Sequence, residues 1–367
     1  MIFYLQFLKS PKFRFNRALA LIVLVLGSGS VYSQALNLAK IDSLLNSVEQ
    51  SKKFMGGIAI AQNGHVVYSK NIGYADIENN YKAHINTKYR IGSITKTFTA
   101  VLVLKAVDEK KIKLDQTLEK YFPMVPNANK ITIRSLLNHR SGIHNFSKDE
   151  SYFKYRFIGK SESEMVDIII KAGSDFTPDS KAMYSNSNYV LLSYILEKIY
   201  QKTYAEILKE NIVQPLGLLN TYFGGKIETQ NNESYSYDWA EYWQKLPETN
   251  LNIFSGAGAI VSTPTDVLKF TEAVFNGKVI SKSSLKAMKE TRDEYGLGLG
   301  ENKFEGSISY GHTGHIDGFN SMYGYFPKDN ISFIITSNGT SINNNDIAVG
   351  ILSILFNVPY TIPKKFD

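Results

Sequence analysis

Strand-like runs lie near both ends of this chain, and that distribution constrains the fold more than any other feature of the sequence. Residues 56–62 and 65–70 form the first pair, and Asn63-Gly64 between them is a strong signal for a two-residue hairpin turn. Three further strand patterns come late, at residues 306–311, 320–326 and 331–337. A sheet that uses all of these runs must bring the two ends of the chain together.

Helical patterns lie mainly between the two groups of strands. Apolar residues with helical spacing indicate helices at residues 131–138, 163–171, 187–200 and 204–211, with one more at each end of the chain, from Leu38 to Val48 and from Asp346 to Phe356. Residues 230–250 are polar and aromatic without a clear period, which predicts a surface loop.

This order of elements favours an α+β fold, in which a mainly antiparallel sheet is flanked by helices and carries an inserted, mainly helical lobe. We expect the sheet lobe at about residues 38–105 and 255–360, and the helical lobe at about residues 106–254. Residues 34–367 would then form one domain.

The first 33 residues have the form of a secretory signal peptide. Their basic region consists of Lys9, Lys12, Arg14 and Arg17. An apolar run at residues 18–26 follows, and Val31-Tyr32-Ser33 resembles a small-x-small cleavage site. The apolar run is shorter than the roughly 20 residues of a membrane span, which disfavours an anchor. We expect cleavage near Gln34, an exported protein that is periplasmic or secreted, and no stable membrane anchor afterwards.

Charge and cysteine content exclude several functional classes. Residues 1–34 carry four basic and no acidic residues, which leaves +3 of the formal net charge of +7 for the mature chain. That charge is too small to predict a nucleic-acid partner. The absence of cysteine excludes disulfides, a cysteine nucleophile and thiolate metal sites.

Ser93 and Lys96 are the first candidate catalytic pair. They are three residues apart at the start of a helical pattern, so they share one helix face. A buried lysine with a lowered pKa can take the proton of a serine, and the helix N-terminus favours the negative charge that develops. The same spacing recurs at Ser283 and Lys286, where it predicts only a solvated face.

Tyr184-Ser185-Asn186 opens a second candidate element. A phenol here can relay a proton if a nearby cation lowers its pKa, and an amide two residues later can orient a substrate carbonyl. The alternative is structural, with Ser185 or Asn186 as a helix N-cap and Tyr184 as a packing residue.

The third element is residues 310–315, Tyr-Gly-His-Thr-Gly-His, at the predicted end of a strand. Glycines at a strand end allow a ligand to approach the backbone, and the exposed N–H groups of such a strand can bind an oxyanion. The alternative is a glycine-rich turn with two surface histidines.

Taken in order, the three elements resemble the Ser-x-x-Lys, Tyr-x-Asn and His-x-Gly motifs of the serine beta-lactamase and penicillin-binding fold family. The resemblance is greatest to the class C beta-lactamase-related branch, which includes D-alanyl-D-alanine carboxypeptidases, esterases and D-amino-acid peptidases. Further stretches are similar to markers of that branch, namely Leu136-Leu137-Asn138-His139-Arg140-Ser141-Gly142-Ile143, Pro215-Leu216-Gly217-Leu218, and Ser255-Gly256-Ala257-Gly258 through Pro264.

The resemblance implies a role for each matching residue. Ser93 would be the acylated nucleophile, with Lys96 helping to deprotonate it, and Tyr184 would relay the proton to the leaving group. Whether Lys96 or Tyr184 is the formal base stays open. Asn186 would bind the substrate and hold Lys96.

The third element has implied roles as well. His312, Thr313 and Gly314 would bind substrate, with His312 contacting a substrate carboxylate or the Tyr184 hydroxyl. The backbone N–H groups of Ser93 and His315 would form the oxyanion hole. The resemblance implies no metal and no cofactor.

His312 stands where the drug-hydrolysing members usually have lysine, and this favours an esterase or D-amino-acid peptidase over a dedicated beta-lactamase. With an ordinary pKa of about 6.5, His312 would lose its charge between about pH 5.5 and 7.5. We expect a small-molecule or short peptide substrate, and peptidoglycan-derived peptides are one candidate. A class C-like beta-lactamase and a non-catalytic penicillin-binding or receptor protein are the alternatives.

The remaining histidines and aromatic residues are not assigned to the site. His139 is expected to shape the loop after its helix, and His65 and His84 to lie on the surface. One group of aromatic side chains is expected to form a partly buried cluster in preference to a cleft wall, namely Tyr235, Tyr237, Trp239 and Trp243.

Overall fold

The two ends of the chain meet in one antiparallel sheet in the computed structural model, which describes residues 36–364 and 366. The strands are β1 (Phe54–Gln62), β2 (His65–Ile72), β3 (Tyr74–Asp76), β4 (Tyr81–Lys82), β5 (Tyr89–Arg90), β6 (Tyr222–Phe223), β7 (Tyr237–Ala240), β8 (Tyr242–Lys245), β9 (Ile260–Ser262), β10 (Gly300–Phe304), β11 (Ser307–Ile316), β12 (Phe319–Phe326) and β13 (Ile331–Thr340). The main sheet has the order β10-β11-β12-β13-β1-β2, and β5, β9 and β6 form a smaller one.

Helices occupy most of the middle of the chain. They are α1 (Leu38–Ser51), α2 (Thr95–Asp108), α3 (Ile133–Leu137), α4 (Tyr152–Tyr155), α5 (Glu162–Ala172), α6 (Asn186–Tyr200), α7 (Tyr204–Leu208), α8 (Gln214–Leu216), α9 (Pro264–Phe275), α10 (Lys282–Lys289) and α11 (Asn344–Leu355). A π-helical turn, Lys209–Val213, joins α7 to α8. The predicted α+β class is confirmed.

The predicted hairpin is present between β1 and β2. Asn63 has φ 53° and Gly64 has φ 84°, the positive values that a two-residue hairpin turn of this kind requires. On its other side β1 pairs with β13, and Ile58 lies opposite Ile335. This pairing joins the N-terminal strands to the C-terminal ones.

Helix α2 runs through the centre of the protein. Almost all of its side chains are buried, including Lys96, and Phe98 stacks on Phe270 of α9 with ring centroids 3.7 Å apart. A helix that is buried on nearly every side must bury whatever polar groups the sequence places on it. The position of α2 therefore removes Lys96 from water.

Three sequence predictions about secondary structure need correction. Residues 230–250 are not only a loop, because β7 and β8 form a hairpin there with Trp239 opposite Trp243. Strand β11 continues to Ile316, beyond the predicted run at residues 306–311, so its last part contains the whole glycine-containing motif. Strand β10 was not predicted, and pairing with β11 stabilises it. Tertiary pairing has overridden weak local strand propensity in each case.

The predicted signal peptide, residues 1–33, lies outside the described residues. Within the part of the chain that the structure describes, no helix is long and apolar enough to cross a membrane. Asn37–Asp367 cluster as one compact unit, and the finer division into a sheet lobe and a helical lobe stays a prediction.

Candidate active site

Ser93 lies in a 3₁₀ turn, Gly92–Ile94, immediately before α2. Gly92 has φ 51°, and a Cβ atom added there would lie 2.7 Å from the backbone nitrogen of His315. Glycine is therefore required both by the backbone angle and by the close approach of β11. The turn places the backbone of Ser93 beside the backbone of His315, which is the arrangement that a two-donor oxyanion hole needs.

Lys96 contacts Ser93 directly. Its Nζ lies 2.9 Å from Ser93 Oγ, 2.8 Å from Asn186 Oδ1 and 2.6 Å from the carbonyl oxygen of Ala257. Lys96 is fully buried and contacts no carboxylate of the described residues, so burial holds its pKa well below the usual range of a lysine. A neutral Lys96 donates its two hydrogens to the two carbonyl oxygens and leaves its lone pair for the Ser93 hydroxyl.

Tyr184 contacts the same serine from another direction. Its hydroxyl donates to Ser93 Oγ at 2.7 Å, and Lys96 Nζ lies 4.9 Å from the centre of its ring. The lowered pKa that the sequence analysis made the condition for a relay role of Tyr184 was wrong. Burial raises the pKa of Tyr184 above its usual range, and the hydrogen bond to Ser93 offsets only part of that effect. The phenol is therefore a proton donor in the resting site.

The helix-cap alternative for this element is only partly supported. Ser185 occupies the N-cap position of α6, but its side chain makes no capping hydrogen bond and instead donates to the carbonyl oxygen of His144 at 3.3 Å. Asn186 begins the helix, and its Nδ2 donates to Ser147 Oγ at 2.9 Å. Asn186 thus has its oxygen fixed on Lys96 and its nitrogen at the wall of the cleft.

His139 lies directly behind Tyr184, which the sequence argument did not anticipate. The two ring centroids are 4.5 Å apart. His139 Nδ1 accepts from the backbone N–H of Ser185 at 3.2 Å and faces Asn188 Nδ2 at 3.4 Å, so the proton of a neutral ring is on Nε2. Burial first, and then Lys96 and His312, hold the pKa of His139 well below its usual range. Its predicted role in the loop is present too, because its carbonyl oxygen accepts from Met183 N at 2.9 Å.

Strand β11 borders the cleft with its second half. Its pairing with β10 ends at Gly311, so residues 312–316 extend beyond that neighbour. A Cβ atom on Gly314 would lie 2.1 Å from the carbonyl oxygen of Ile91 and 3.0 Å from Ser93 N. The strand is held at this distance by Ser321 of β12, whose Oγ donates to Ile91 O at 2.8 Å.

Among the described residues, His312 makes no hydrogen bond to the Tyr184 hydroxyl, which was one of its two predicted contacts. Its ring centre is 6.3 Å from that of Tyr184, and its Nδ1 donates to the carbonyl oxygen of Thr313. Burial, followed by the nearby Lys96, lowers the pKa of His312 to about 4. The expected loss of charge between about pH 5.5 and 7.5 was therefore wrong, because the ring is neutral across that interval.

Two cavities flank the Ser93 cluster. One of about 250 Å³ is lined by Ser93, Asn186, His315, Tyr152, Phe254 and Arg156, among others. Another of about 430 Å³ is lined by Tyr184, His312, Thr313, Gly311 and Tyr295, among others. Tyr152, Phe254 and Arg156 carry no recognisable motif, and sequence reasoning missed them.

The other tempting residues lie elsewhere. His65 and His84 are exposed, as predicted. Ser283 and Lys286 are exposed on α10, as expected of a solvated face. None of the four aromatic residues Tyr235, Tyr237, Trp239 and Trp243 lines the cavity at Ser93. Tyr237 is buried, and its hydroxyl donates to Glu78 and accepts from the backbone N–H of Ile77. Among residues 36–364 and 366, no cluster of three or more acidic or histidine side chains could hold a metal ion.

Comparison with known proteins agrees with this geometry. The Beta-lactamase family model matches residues 42–352. The teichoic acid D-alanine hydrolase of Staphylococcus aureus is 30% identical over 267 residues, and the match covers 71% of this chain but only 64% of that protein. Penicillin-binding protein 4* of Bacillus subtilis is 25% identical over 354 residues, covering 89% of this chain and 77% of the relative.

A similar solved structure is the D-amino acid amidase from Ochrobactrum anthropi SV3, with a TM-score of 0.76 and 25% identity. That match covers 87% of this chain and 98% of the amidase. The family model spans most of the chain, and the conclusion is that the chain belongs to the beta-lactamase family.

Proposed function

We propose that this protein is an exported hydrolase that cleaves esters or amides of D-amino acyl groups through an acyl-enzyme on Ser93. The observation that carries the proposal is the position of Lys96 Nζ, 2.9 Å from Ser93 Oγ and buried without a counter-ion. The relatives that act on D-alanyl teichoic acid and on D-amino acid amides support the substrate class. The leader-like residues 1–33 support export.

In acylation, Lys96 is the base and the Ser93 oxygen attacks the carbonyl carbon. The lowered pKa of Lys96 and the raised pKa of Tyr184 support this choice between the two candidates, because the first shift favours the neutral amine and the second keeps the phenol protonated. The negative charge that forms on the carbonyl oxygen is stabilised by the N–H groups of Ser93 and His315.

Collapse of the tetrahedral intermediate requires a proton on the leaving group. Tyr184 donates it from a hydroxyl 2.7 Å from Ser93 Oγ, and the ammonium of Lys96, which holds the proton taken from Ser93, then restores the phenol. Water enters after the leaving group departs, and the same groups act in reverse to release the acid. One water is consumed, and one ester or amide bond is broken.

A beta-lactamase is less well supported than this function. Penicillins and cephalosporins carry a carboxylate, and the neutral ring of His312 offers it no charge. The non-catalytic alternative is also less well supported. It gives no catalytic role to the buried amine of Lys96, which lies within hydrogen-bonding distance of the Ser93 hydroxyl.

The test combines active-site labelling with a substrate screen. A fluorophosphonate probe should add once to the wild type and to Ser283→Ala, and not to Ser93→Ala, as measured by intact mass. D-alanyl esters and D-amino acid amides should be hydrolysed faster than their L counterparts and faster than a cephalosporin. An adduct on Ser93→Ala, or labelling without turnover of any of these substrates, would contradict the proposal.

Export has its own test. The protein recovered from the culture medium or the periplasm of its host should begin near Gln34 by N-terminal sequencing. Recovery of the chain with its first 33 residues in the cytoplasm would refute export.

A further inference from the structure

Arg156 lies at the wall of the cavity that contains Ser93, immediately after α4. Its side chain is 20% exposed, while that of Asp317, the other charged residue among the lining side chains described, is 1% exposed. His312, which was predicted to contact a substrate carboxylate or the Tyr184 hydroxyl, is neutral at pH 7. Arg156 is thus the cation that this cavity presents to a ligand.

The guanidinium of Arg156 is held in one orientation. Its Nη2 donates to Asp317 Oδ1 at 2.7 Å, and its Nε donates to Thr249 Oγ1 at 3.1 Å. The group also lies over the ring of Tyr152, 5.6 Å from its centre. Its Nη1 makes no hydrogen bond to any described residue. A rigid guanidinium with donors to spare is well suited to a carboxylate or phosphate.

Asp317 cannot serve the opposite purpose and bind a substrate ammonium. Both of its oxygens already accept hydrogen bonds, from Arg156 and Thr249 and from Arg90 at 3.2 Å. Arg90 is balanced in turn by Glu248 at 3.0 Å. The two carboxylates therefore stabilise the two arginines. Glu248 is 22% exposed but lines a different cavity, so at the cavity that contains Ser93 the accessible charge of this network is Arg156.

The direction of β11 shows which part of the substrate meets Arg156. His312, at one end of the exposed half-strand, lies near Tyr184, which donates its proton to the leaving group. His315 and Asp317 follow toward the other end and line the Arg156 cavity. The leaving group therefore belongs on the His312 side and the acyl group on the Arg156 side.

We infer that Arg156 forms an anion subsite for the acyl group, so that the preferred substrates carry a carboxylate or phosphate on the side chain or the α-nitrogen of the D-amino acyl group. This inference rests on the proposed function, because it specifies the substrate of the same acyl-enzyme site. A D-amino acyl group whose only charge is its α-ammonium would approach a cation, which disfavours it.

The test uses p-nitrophenyl esters of D-alanine that differ only at the α-nitrogen. The nitrogen carries a succinyl group, a phosphonopropionyl group, a butyryl group or no substituent, which gives a carboxylate, a phosphonate, a neutral chain or an ammonium. In the wild type, kcat/KM should be higher for one or both acidic esters than for the butyryl ester, and lowest for the ammonium. Comparison of the two acidic esters distinguishes a carboxylate-reading site from a phosphate-reading one.

Arg156→Gln should reduce kcat/KM for the preferred acidic ester by about 10- to 100-fold, the effect of losing a hydrogen-bonded charge, and leave the butyryl ester nearly unchanged. Arg156→Lys keeps the positive charge but loses the planar guanidinium with its paired donors, so its kcat/KM for the acidic ester should lie between those of the wild type and Arg156→Gln. Lys154→Gln removes an exposed cation two residues away and should have no effect. The butyryl ester also reports whether each variant is folded.

An acidic-to-neutral ratio of kcat/KM that is the same in the wild type, Arg156→Gln and Arg156→Lys would overturn the inference. So would a wild-type preference for the free ammonium. Failure of the proposed function is a different result, because it would abolish hydrolysis of every ester or leave the Ser93→Ala variant active.

Discussion

Gly314→Ala tests whether the backbone geometry of the cleft supplies catalysis. An added Cβ atom would lie 2.1 Å from Ile91 O, 2.4 Å from Ser321 Oγ and 3.0 Å from Ser93 N. Two of these atoms belong to the backbone and cannot rotate away. Since β11 must then move away from the turn that holds Ser93, the N–H groups of Ser93 and His315 would be displaced from the positions that the proposed oxyanion hole requires.

The expected loss is large in rate and smaller in stability. Losing one oxyanion-hole donor typically costs about 10²–10³ in kcat. Overpacking a buried position by one methyl group costs about 1–3 kcal/mol of unfolding free energy. We therefore expect kcat to fall by about 10²–10³, while the protein stays folded at room temperature with a lower melting temperature.

The assay compares ester hydrolysis, the rate of fluorophosphonate labelling and thermal unfolding for the wild type and two glycine variants. Gly225→Ala is the matched control, because nothing lies within 4 Å of its added Cβ atom. If Gly314→Ala kept wild-type kcat and labelling rate, the assignment of the oxyanion hole to the β11 backbone would be refuted. A loss of activity that appeared only at temperatures where the variant unfolds would refute it as well.

Four other outcomes follow from the same structure. Tyr184→Phe should lower kcat by about 10²–10⁴ with little change in melting temperature, and a parallel loss of both would favour a packing role. Because the pKa of His312 is about 4, the ring is neutral from about pH 5.5 to 7.5, and the ratio of kcat/KM for acidic to neutral substrates should stay constant over that range. A ratio that falls as pH rises would show that His312 is charged at the lower pH. In the unfolded chain His312 binds a proton below about pH 6.5, but in the folded chain only below about pH 4. The free energy of unfolding should therefore fall progressively as pH falls from about 6.5 to 4. Urea unfolding should show that His312→Gln weakens this trend. Phe98→Ala should lower the free energy of unfolding by about 3–5 kcal/mol, because the stack on Phe270 is lost. Met124→Ala, at a position that is 75% exposed, should leave the free energy of unfolding nearly unchanged. Equal effects of the two substitutions would contradict the buried position of α2.

Local signals in the sequence were sufficient for the elements with strong periodicity. Asn63-Gly64 determines its own turn because both residues tolerate positive φ, and the three-residue spacing of Ser93 and Lys96 places their side chains within 2.9 Å of each other. The order of the motifs was enough to predict that Tyr184 and Asn186 lie beside Ser93 and Lys96, although 88 residues or more separate them from Lys96 along the chain.

Features that depend on burial were not predictable in this way. The pKa directions of Tyr184 and His312 follow from how much protein surrounds them, and no spacing in the sequence encodes that. The continuation of β11 through Gly311 and Gly314 depends on pairing with β12, because glycine itself disfavours strands. Arg156 was missed because its significance comes from Asp317, a residue far along the chain that fixes it at the cleft.

The hairpin of β7 and β8 has a consequence for spectroscopy. Trp239 and Trp243 are the two tryptophans of the chain, their rings are 4.9 Å apart at 72°, and Trp243 packs closely over Gly339 of β13. Indole fluorescence of this protein therefore originates from one place at the edge of the fold, away from the residues that line the cavity at Ser93. An emission change on denaturation will follow the release of this hairpin from β13. Agreement between that signal and far-UV circular dichroism would then show that the hairpin and the helices unfold in one cooperative step.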